Sequence, residues 1–157
     1  MTTPNPPFVR RVASPAPAIG ECVVRDLRDR LRAAGLRPTR QRLSLGWLIF
    51  GKGHRHLLAE ALFEEASRSR LQVSLATVYN TLNQFTEAGL LREIAVDGTR
   101  TYFDTNISEH HHFFIEDEGC VIDIPASAVE VSDVPPAPEG FEVVRVDVVV
   151  RLRRKAG

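Results

Sequence analysis

Residues 74–104, SLATVYNTLNQFTEAGLLREIAVDGTRTYFD, place a helical pattern directly before a hairpin pattern. Ser74 is a favoured helix N-cap and Gly89 a favoured C-terminal stop, so we predict a helix from Ser74 to Ala88. After Gly89 the apolar residues alternate, and Asp97-Gly98 predicts a tight turn between two short strands. The apolar stripe expected on the helix consists of Leu75, Val78, Leu82 and Phe85.

Three more helices are predicted before this stretch, over residues 21–34, 38–50 and 57–69, from apolar residues at helical spacing. Gly35 and Gly51 end the first two helices, and Pro38 opens the second. Helices followed by a β-hairpin predict a winged helix, whose last helix enters the DNA major groove. The pattern alone leaves one alternative open, a helical domain with a purely structural β-ribbon.

The second half is predicted to form strands over residues 110–116, 120–124 and 142–153, with one short helix within 125–140. About 50 residues bury little surface alone, so we expect this sheet to pair with a second copy in a homodimer. The fold class is therefore α+β. We expect a flexible arm at 1–20, a winged-helix DNA-binding domain at 21–104 and a small α/β dimerisation and metal-binding domain at 105–157.

Charge is distributed unevenly, although the net charge of the chain is zero. Residues 8–55 contain eleven Lys and Arg against three Asp and Glu, whereas residues 105–157 contain five against ten. This asymmetry favours a polyanion-binding module in the first half, with solvated helix faces as the other interpretation. No signal sequence or membrane span is evident, and the two cysteines, Cys22 and Cys120, suit a reducing compartment. We therefore expect a cytoplasmic protein without a membrane partner.

Two motifs carry a family resemblance. LRPTRQRL (36–43) and SLATVYNTLNQFTEAGLL (74–91) resemble the R-x-T-x-Q-R and A-T-V-Y-R-x-L-x-x-F-x-x-x-G patterns of Fur-family metal regulators. The resemblance extends from about residue 22 to the C-terminus. It implies a homodimer, with a tetramer as the alternative, on an AT-rich palindromic operator in double-stranded DNA. Asn80 stands where these regulators usually have Arg, so the operator is expected to differ.

The helix that begins at Ser74 offers polar side chains to DNA, because Val78, Leu82 and Phe85 are expected to face the core. Thr77, Tyr79, Asn80, Thr81 and Gln84 then lie largely on its other sides, with Tyr79 as half-buried core the alternative. Arginines at the start of the second helix are placed to hold phosphates. The predicted DNA contacts are Arg37, Arg40, Gln41, Arg42, Ser74, Ala76, Thr77, Tyr79 and Asn80.

The five histidines occur in two places, at 54 and 56 and at 110–112. On a strand, His110 and His112 share one face, but two imidazoles need further partners to form a metal site. The resemblance to Fur regulators implies those partners from the family's sensory site. The implied ligand set is His56, Asp97, His110, His112 and Asp123. Imidazole and carboxylate together suit Fe(II), Mn(II) or Zn(II).

A second family site is matched less well. Glu109, His111 and Glu130 stand at its positions and are candidates for a weaker metal site or for haem. The four-cysteine zinc site of many Fur proteins is missing, because IEDE (115–118) occupies the position of one C-x-x-C pair. The HHH run and the missing cysteines resemble the iron response regulator (Irr) branch, which implies a response to haem as well as to metal.

The sequence therefore predicts a metal- or haem-responsive transcriptional regulator, a repressor of iron and haem homeostasis genes. A peroxide-, manganese- or zinc-sensing repressor on the same scaffold is the near alternative. A metal-dependent hydrolase is the remote one, because we find no nucleophile motif, no H-E-x-x-H and no convergent base. We expect the protein not to be an enzyme.

Overall fold

Four helices and six strands form the described part of this computed structural model, which covers residues 21–96 and 98–157. The predicted arm at 1–20 and the predicted ligand Asp97 lie outside the described residues. The helices are α1 (Glu21–Ala33), α2 (Arg40–Phe50), α3 (Ala59–Arg68) and α4 (Leu75–Glu87), with a 3₁₀ helix at Ala126–Ala128. The strands are β1 (His56–Leu57), β2 (Arg92–Ile94), β3 (Tyr102–Asp104), β4 (His110–Ile115), β5 (Cys120–Pro125) and β6 (Val149–Leu152).

Side-chain caps fix where the two DNA-facing helices begin. The Thr39 hydroxyl accepts the N–H of Arg42 at 3.2 Å, so α2 begins two residues after the predicted Pro38. Ser74 caps α4 as predicted, accepting the N–H of Thr77 at 3.1 Å. Gly89 follows α4 with φ of +77°, the left-handed conformation that ends helices at low cost.

The helices enclose the first hydrophobic core. α4 contributes Val78, Leu82 and Phe85, all fully buried as predicted. Leu75 was expected in the same stripe, but it is 36% exposed because it occupies the first turn of α4, at the edge of the core. The prediction for Thr81 was also wrong, since it is 4% exposed and its hydroxyl donates to the Thr77 carbonyl at 2.9 Å. That bond satisfies the hydroxyl within the helix and lets it face inward.

The wing is the antiparallel sheet β1-β3-β2. The hairpin β2–β3 surrounds the predicted turn, with Glu93 opposite Phe103. Strand β1, only two residues long, was not predicted, and it pairs His56 with Asp104 on the outer side of β3. The wing therefore brings residue 56, from before α3, next to the end of the hairpin.

The second sheet has the order β5-β4-β6, with β4 antiparallel to β5 and parallel to β6. The predicted strand over 142–153 is wrong in length, since only Val149–Leu152 form a ladder. His112 pairs with Val149, so by the same register the start of β4 at His110 stands opposite residue 147. Earlier residues run past the end of β4 and have no strand to pair with, which leaves Val144 90% exposed.

The wing and the second sheet share a second core. Ile94, Val96 and Tyr102 of the wing pack with Phe114 and Val121 of the second sheet. The rings of Tyr102 and Phe114 meet edge to face at 6.2 Å between centroids. The predicted domain boundary after residue 104 crosses this core and stays a prediction. None of the helices in the described ranges combines the length and the apolar character needed to cross a membrane.

Candidate metal centre and nucleic-acid interface

Strand pairing brings three histidines and two aspartates to one point between the two sheets. His56 on β1 stands opposite Asp104 at the end of β3. His110 and His112 are two residues apart on β4 and so share a face, and His112 pairs with Asp123 of β5. The backbone ladders, rather than flexible loops, therefore set the spacing of these side chains.

Their polar atoms converge closely. Asp104 Oδ2 lies 2.7 Å from His110 Nε2, 3.0 Å from His112 Nε2 and 3.5 Å from His56 Nε2. Asp123 Oδ1 lies 2.8 Å from His56 Nε2 and 3.3 Å from His110 Nε2. One ligand atom from each of the five residues falls within 4.8 Å of all the others. Three nitrogens and two oxygens at this spacing form a donor set for one divalent cation.

The cluster is closed on one side and open on the other. The side chains of Asp104, His110 and His112 are 1%, 4% and 3% exposed, whereas those of His56 and Asp123 are 17% and 37% exposed. A cation would thus enter past His56 and Asp123.

Ionisation in the cluster is strongly coupled. Burial alone would raise the pKa of Asp104, but hydrogen bonds from His112, His56 and the Asn106 N–H hold it well below its usual range. Burial alone would lower the pKa of His56, but the hydrogen bonds and negative charge of Asp104 and Asp123 raise it above its ordinary value of 6.5. The centre therefore holds carboxylate charge that attracts a cation, either a proton or a metal.

Hydrogen bonding around the ring fixes the tautomer of His110. Its Nδ1 lies 2.6 Å from the Ser108 carbonyl oxygen, which can only accept, so we assign the proton to Nδ1. In a neutral ring this leaves the Nε2 lone pair facing the Asp104 carboxylate at 2.7 Å. Two lone pairs at that distance repel unless a cation lies between them. This arrangement fits a metal ligand whose outer nitrogen is held by a backbone carbonyl.

Sequence reasoning placed four of these five residues and missed the fifth. The structure brings together His56, His110, His112 and Asp123, whereas the predicted Asp97 is not described. Asp104 was missed, because a single Asp after Tyr102-Phe103 has no distinctive spacing. The usable signal was its position at the end of a buried strand, where a charged residue needs a partner.

The predicted second site is not assembled. Glu109 and His111 line one cavity of about 310 Å³, but Glu130 is not among its lining residues. His111 Nδ1 accepts the Val148 N–H at 3.2 Å, which places the proton of a neutral ring on Nε2 and leaves no free ring lone pair. Among the residues that the structure describes, His56, Asp104, His110, His112 and Asp123 are the one cluster of metal-ligand type.

Two polar grooves flank the start of α4. One, of about 390 Å³, lies between α2 and α4 and is lined by Arg37, Thr39, Gln41, Arg42, Thr77, Asn80, Thr81 and Gln84. The other, of about 540 Å³, shares Gln41 and Thr77 with the first groove and is also lined by Arg40 and Ser74. Of the predicted DNA contacts, Ala76 and Tyr79 lie outside both grooves, as exposed residues of α4. The other seven predicted contacts line two grooves that share Gln41 and Thr77.

Arg42 and Tyr79 already have partners within the chain. The Arg42 guanidinium donates to Gln84 Oε1 at 3.1 Å and to the Arg37 carbonyl at 2.8 Å, which ties α2 to α4. The Tyr79 hydroxyl donates to Glu60 Oε1 at 2.6 Å, which lowers the pKa of Glu60 and raises that of Tyr79. Tyr79 is 36% exposed, so its ring remains accessible beside the polar face of α4.

Comparison with known proteins identifies the family. The sequence profile of the ferric uptake regulator family matches residues 33–151. The ferric uptake regulation protein of Pseudomonas aeruginosa is 34% identical over 127 residues, which are 80% of this chain and 95% of that protein. A peroxide-responsive repressor, PerR of Staphylococcus aureus, is 34% identical over 94 residues, 59% of this chain and 62% of the repressor.

Known structures confirm the fold. The structure of the ferric uptake regulator from Pseudomonas aeruginosa with manganese superposes with a TM-score of 0.66 at 28% identity, over 83% of this chain and 98% of that one. This neighbour confirms the predicted winged helix joined to a dimerisation domain. The relatives are transcription regulators, which confirms the regulator interpretation over the hydrolase alternative. The comparisons give haem no support. This chain therefore belongs to the ferric uptake regulator family of metal-responsive transcription regulators.

Proposed function

We propose that this chain is a DNA-binding repressor whose DNA affinity is set by a divalent cation held by His56, Asp104, His110, His112 and Asp123. The observation that carries the proposal is the convergence of these five ligand atoms within 4.8 Å. Their mixed nitrogen and oxygen character suits Fe(II), Mn(II) or Zn(II), and the similar Pseudomonas aeruginosa regulator was solved with manganese. The bound cation would supply positive charge that neutralises the two carboxylates.

The position of the five ligands in two sheets would couple metal binding to DNA affinity. His56 and Asp104 belong to the wing sheet, whereas His110, His112 and Asp123 belong to the second sheet. Filling the centre draws the two sheets to one angle, and a ligand that prefers one angle shifts the population toward it. His56 is also connected to the DNA-facing helix α4. Helix α3 starts three residues after His56 and carries Glu60, which accepts a hydrogen bond from Tyr79 of α4.

DNA recognition is assigned to α4 and to the start of α2. Thr77, Tyr79 and Asn80 would contact base edges in the major groove, where a Thr methyl or Tyr edge packs on thymine and Asn pairs with adenine. Arg37 and Arg40 would contact phosphates. Arg42 stays a predicted phosphate contact, and its donors also hold Gln84 and Arg37 in place. Removing Arg42 would then disturb α4 as well as any phosphate contact.

A homodimer is the active form in this proposal, as is usual in the family. Apolar side chains stay exposed along the unpaired segment before β6, with Phe141 76%, Val143 53% and Val144 90% exposed. A second copy that covers this segment would bury them and present two α4 helices to a palindromic operator. An AT-rich site, a tetramer as the higher assembly and a cytoplasmic location stay predictions.

Within the family we favour the Irr branch, and an iron-related set of target genes. The support is the HHH run at 110–112 and the IEDE sequence at 115–118, where many relatives have C-x-x-C. Haem is not included, because His111 is engaged with Val148 and the comparisons give haem no support. The peroxide-, manganese- and zinc-sensing alternatives share the centre and differ in which metal changes DNA affinity.

The test is DNA binding as a function of metal. A bound duplex is first selected from a random pool, and affinity is then measured at fixed salt with chelator, Mn(II), Fe(II) and Zn(II). We expect one metal to change the affinity at least tenfold, and His112→Ala to abolish that change. His54→Ala is the matched control, because His54 is an exposed histidine outside the cluster. Stoichiometric metal binding without any effect on DNA affinity would contradict the proposal.

A further inference from the structure

The groove on the outer side of α2 contains one arginine that the DNA-contact predictions did not include. This groove, of about 540 Å³, lies between α2 and the turn at 70–74, and Arg40 and Arg70 are its two cationic residues. None of the described residues that line it is acidic. Gln41, Ser74 and Thr77, which are predicted to contact DNA, line the same groove. The groove is therefore a positively charged extension of the surface formed by α2 and α4.

Arg70 stands in an unusual backbone position at the end of α3. Its φ is +57°, and in the described ranges only Asp133 shares this left-handed region among non-glycine residues. The turn is closed by the Arg70 N–H to the Ser67 carbonyl at 3.0 Å and by the Leu71 N–H to the Ala66 carbonyl at 2.9 Å. Glycine adopts this conformation without steric cost, whereas any side chain here is strained. The turn thus gains nothing structurally from arginine.

The Arg70 side chain is exposed, and within residues 21–96 and 98–157 it takes part in no hydrogen bond or ion pair. Three other arginines in this half of the chain are engaged by side-chain partners. Arg42 is bound to Gln84, Arg55 to Glu65 and Arg68 to Glu64. Arg70 therefore keeps all five guanidinium donors available at the mouth of a groove that leads to α4.

We infer that Arg70 binds a phosphate of the DNA backbone beside the major groove that α4 enters. This inference rests on the DNA-binding function proposed above and names a contact of that interface. Arg70 acts together with Arg40, the other cationic residue of the groove. A guanidinium that contacts a phosphate adds affinity without sequence preference, because the phosphate is the same at every step.

The experiment compares Arg70→Gly, Arg70→Lys and Arg68→Ala in the full chain. Affinity is measured from about 50 to 200 mM salt on the selected operator and on an unrelated duplex of equal length. Arg68 is the matched control, because it lies two residues away, is also exposed and does not line the groove. Inorganic phosphate at equal ionic strength is the competitor that tests for a free-anion site.

Arg70→Gly should weaken binding to both duplexes by the same factor, about three- to tenfold per subunit at roughly 0.1 M salt. The slope of log K against log salt should fall by about 0.9 per subunit. Arg70→Lys should keep most of the slope, and Arg68→Ala should change it little. The melting temperature of Arg70→Gly should equal or exceed that of the wild type, because glycine relieves the left-handed backbone.

Three results would overturn the assignment to a DNA phosphate. These are an unchanged slope in Arg70→Gly, a loss confined to the selected operator, and inorganic phosphate binding that requires Arg70 although DNA affinity does not. If the wild type selects no duplex and shows no salt-dependent binding, the proposed function itself fails. Loss of the Arg70 effect with operator binding intact leaves that function standing.

Discussion

Asp104 is the residue whose replacement tests the metal centre most directly. Its Oδ2 accepts from His112 Nε2 at 3.0 Å and lies 2.7 Å from His110 Nε2, while Oδ1 accepts the Asn106 N–H at 2.8 Å. Asp104→Ala removes both acceptor oxygens from a position that is 1% exposed. Hydrogen bonds to a charged group contribute roughly 1.5–3 kcal/mol each, and the imidazoles regain part of this by changing tautomer. We therefore expect the metal-free protein to lose about 3 kcal/mol of unfolding free energy.

Metal affinity should fall much further. Loss of an outer partner of a ligand typically costs about 10–100-fold, and Asp104 is placed to be a ligand itself. We expect at least a 100-fold weaker affinity for Mn(II), measured by competition with a chelator of known affinity. Asp104→Asn, which keeps the side-chain volume and one acceptor oxygen, separates loss of charge from loss of packing.

The Asp97→Ala variant completes this experiment, because the family resemblance implied Asp97 as a carboxylate ligand beside Asp123. The structure predicts that metal binding depends on Asp104. Asp97 lies outside the described residues and stays a predicted ligand. If Asp104→Ala bound Mn(II) within threefold of the wild type while Asp97→Ala lost it, the five-residue centre would be wrong. Chemical unfolding of both variants without metal shows whether either effect is only a loss of stability.

Three further predictions concern the winged helix. Glu60→Gln keeps an acceptor for the Tyr79 hydroxyl but removes a negative charge beside α4, so DNA affinity at low salt should rise about two- to threefold. A decrease in DNA affinity would show that the negative charge is needed to hold Tyr79 in place. Glu65 has a pKa below 4.5 because Arg55 donates to it, so the pair stabilises the fold above pH 4.5 and this stabilisation is lost as pH falls through the lowered pKa. Glu65→Gln should cost roughly 1.5 kcal/mol at pH 7 and progressively less as the pH falls below 4.5, and a cost that does not change with pH would exclude the ion pair as the cause. Gly46→Ala would place a Cβ 3.2 Å from two Leu27 methyl carbons. Overpacking costs roughly 1–3 kcal/mol and outweighs the gain in helix propensity of about 1 kcal/mol, so thermal unfolding should show a net loss of about 1 kcal/mol of stability. An unchanged stability would mean that α1 moves away from α2 without cost.

Local signals explain what the sequence could predict. Ser74, Gly89 and the Asp97-Gly98 turn act within a few residues, so the helix α4 and the hairpin β2–β3 are found where expected. His110 and His112 share a face because strand geometry alone requires it. These features depend on no distant contact.

Long-range pairing explains what was missed. Strand β1 has two residues, too few for any alternation, and it exists because β3 offers a free edge. That pairing also places Asp104 opposite His56. Asp104 could therefore not be predicted as the fifth ligand, because the sequence does not reveal strand β1. The strand over 142–153 was predicted too long, because a sequence pattern does not show where the neighbouring strand begins. Thr81 faces inward only because it bonds to Thr77.

The core that the wing shares with the second sheet also limits how the protein can respond to metal. Tyr102 and Phe114 sit on opposite sides of the predicted boundary, and Arg92 spans it as well, donating to the Ser108 carbonyl and to Asp147. Separating the two halves would expose this apolar surface to water. Removal of the cation should therefore leave a single cooperative unit, in which the halves pivot slightly against each other instead of coming apart. Such a sensor would signal by a small change in the distance between two recognition helices, and it would resist proteases at the junction in either state.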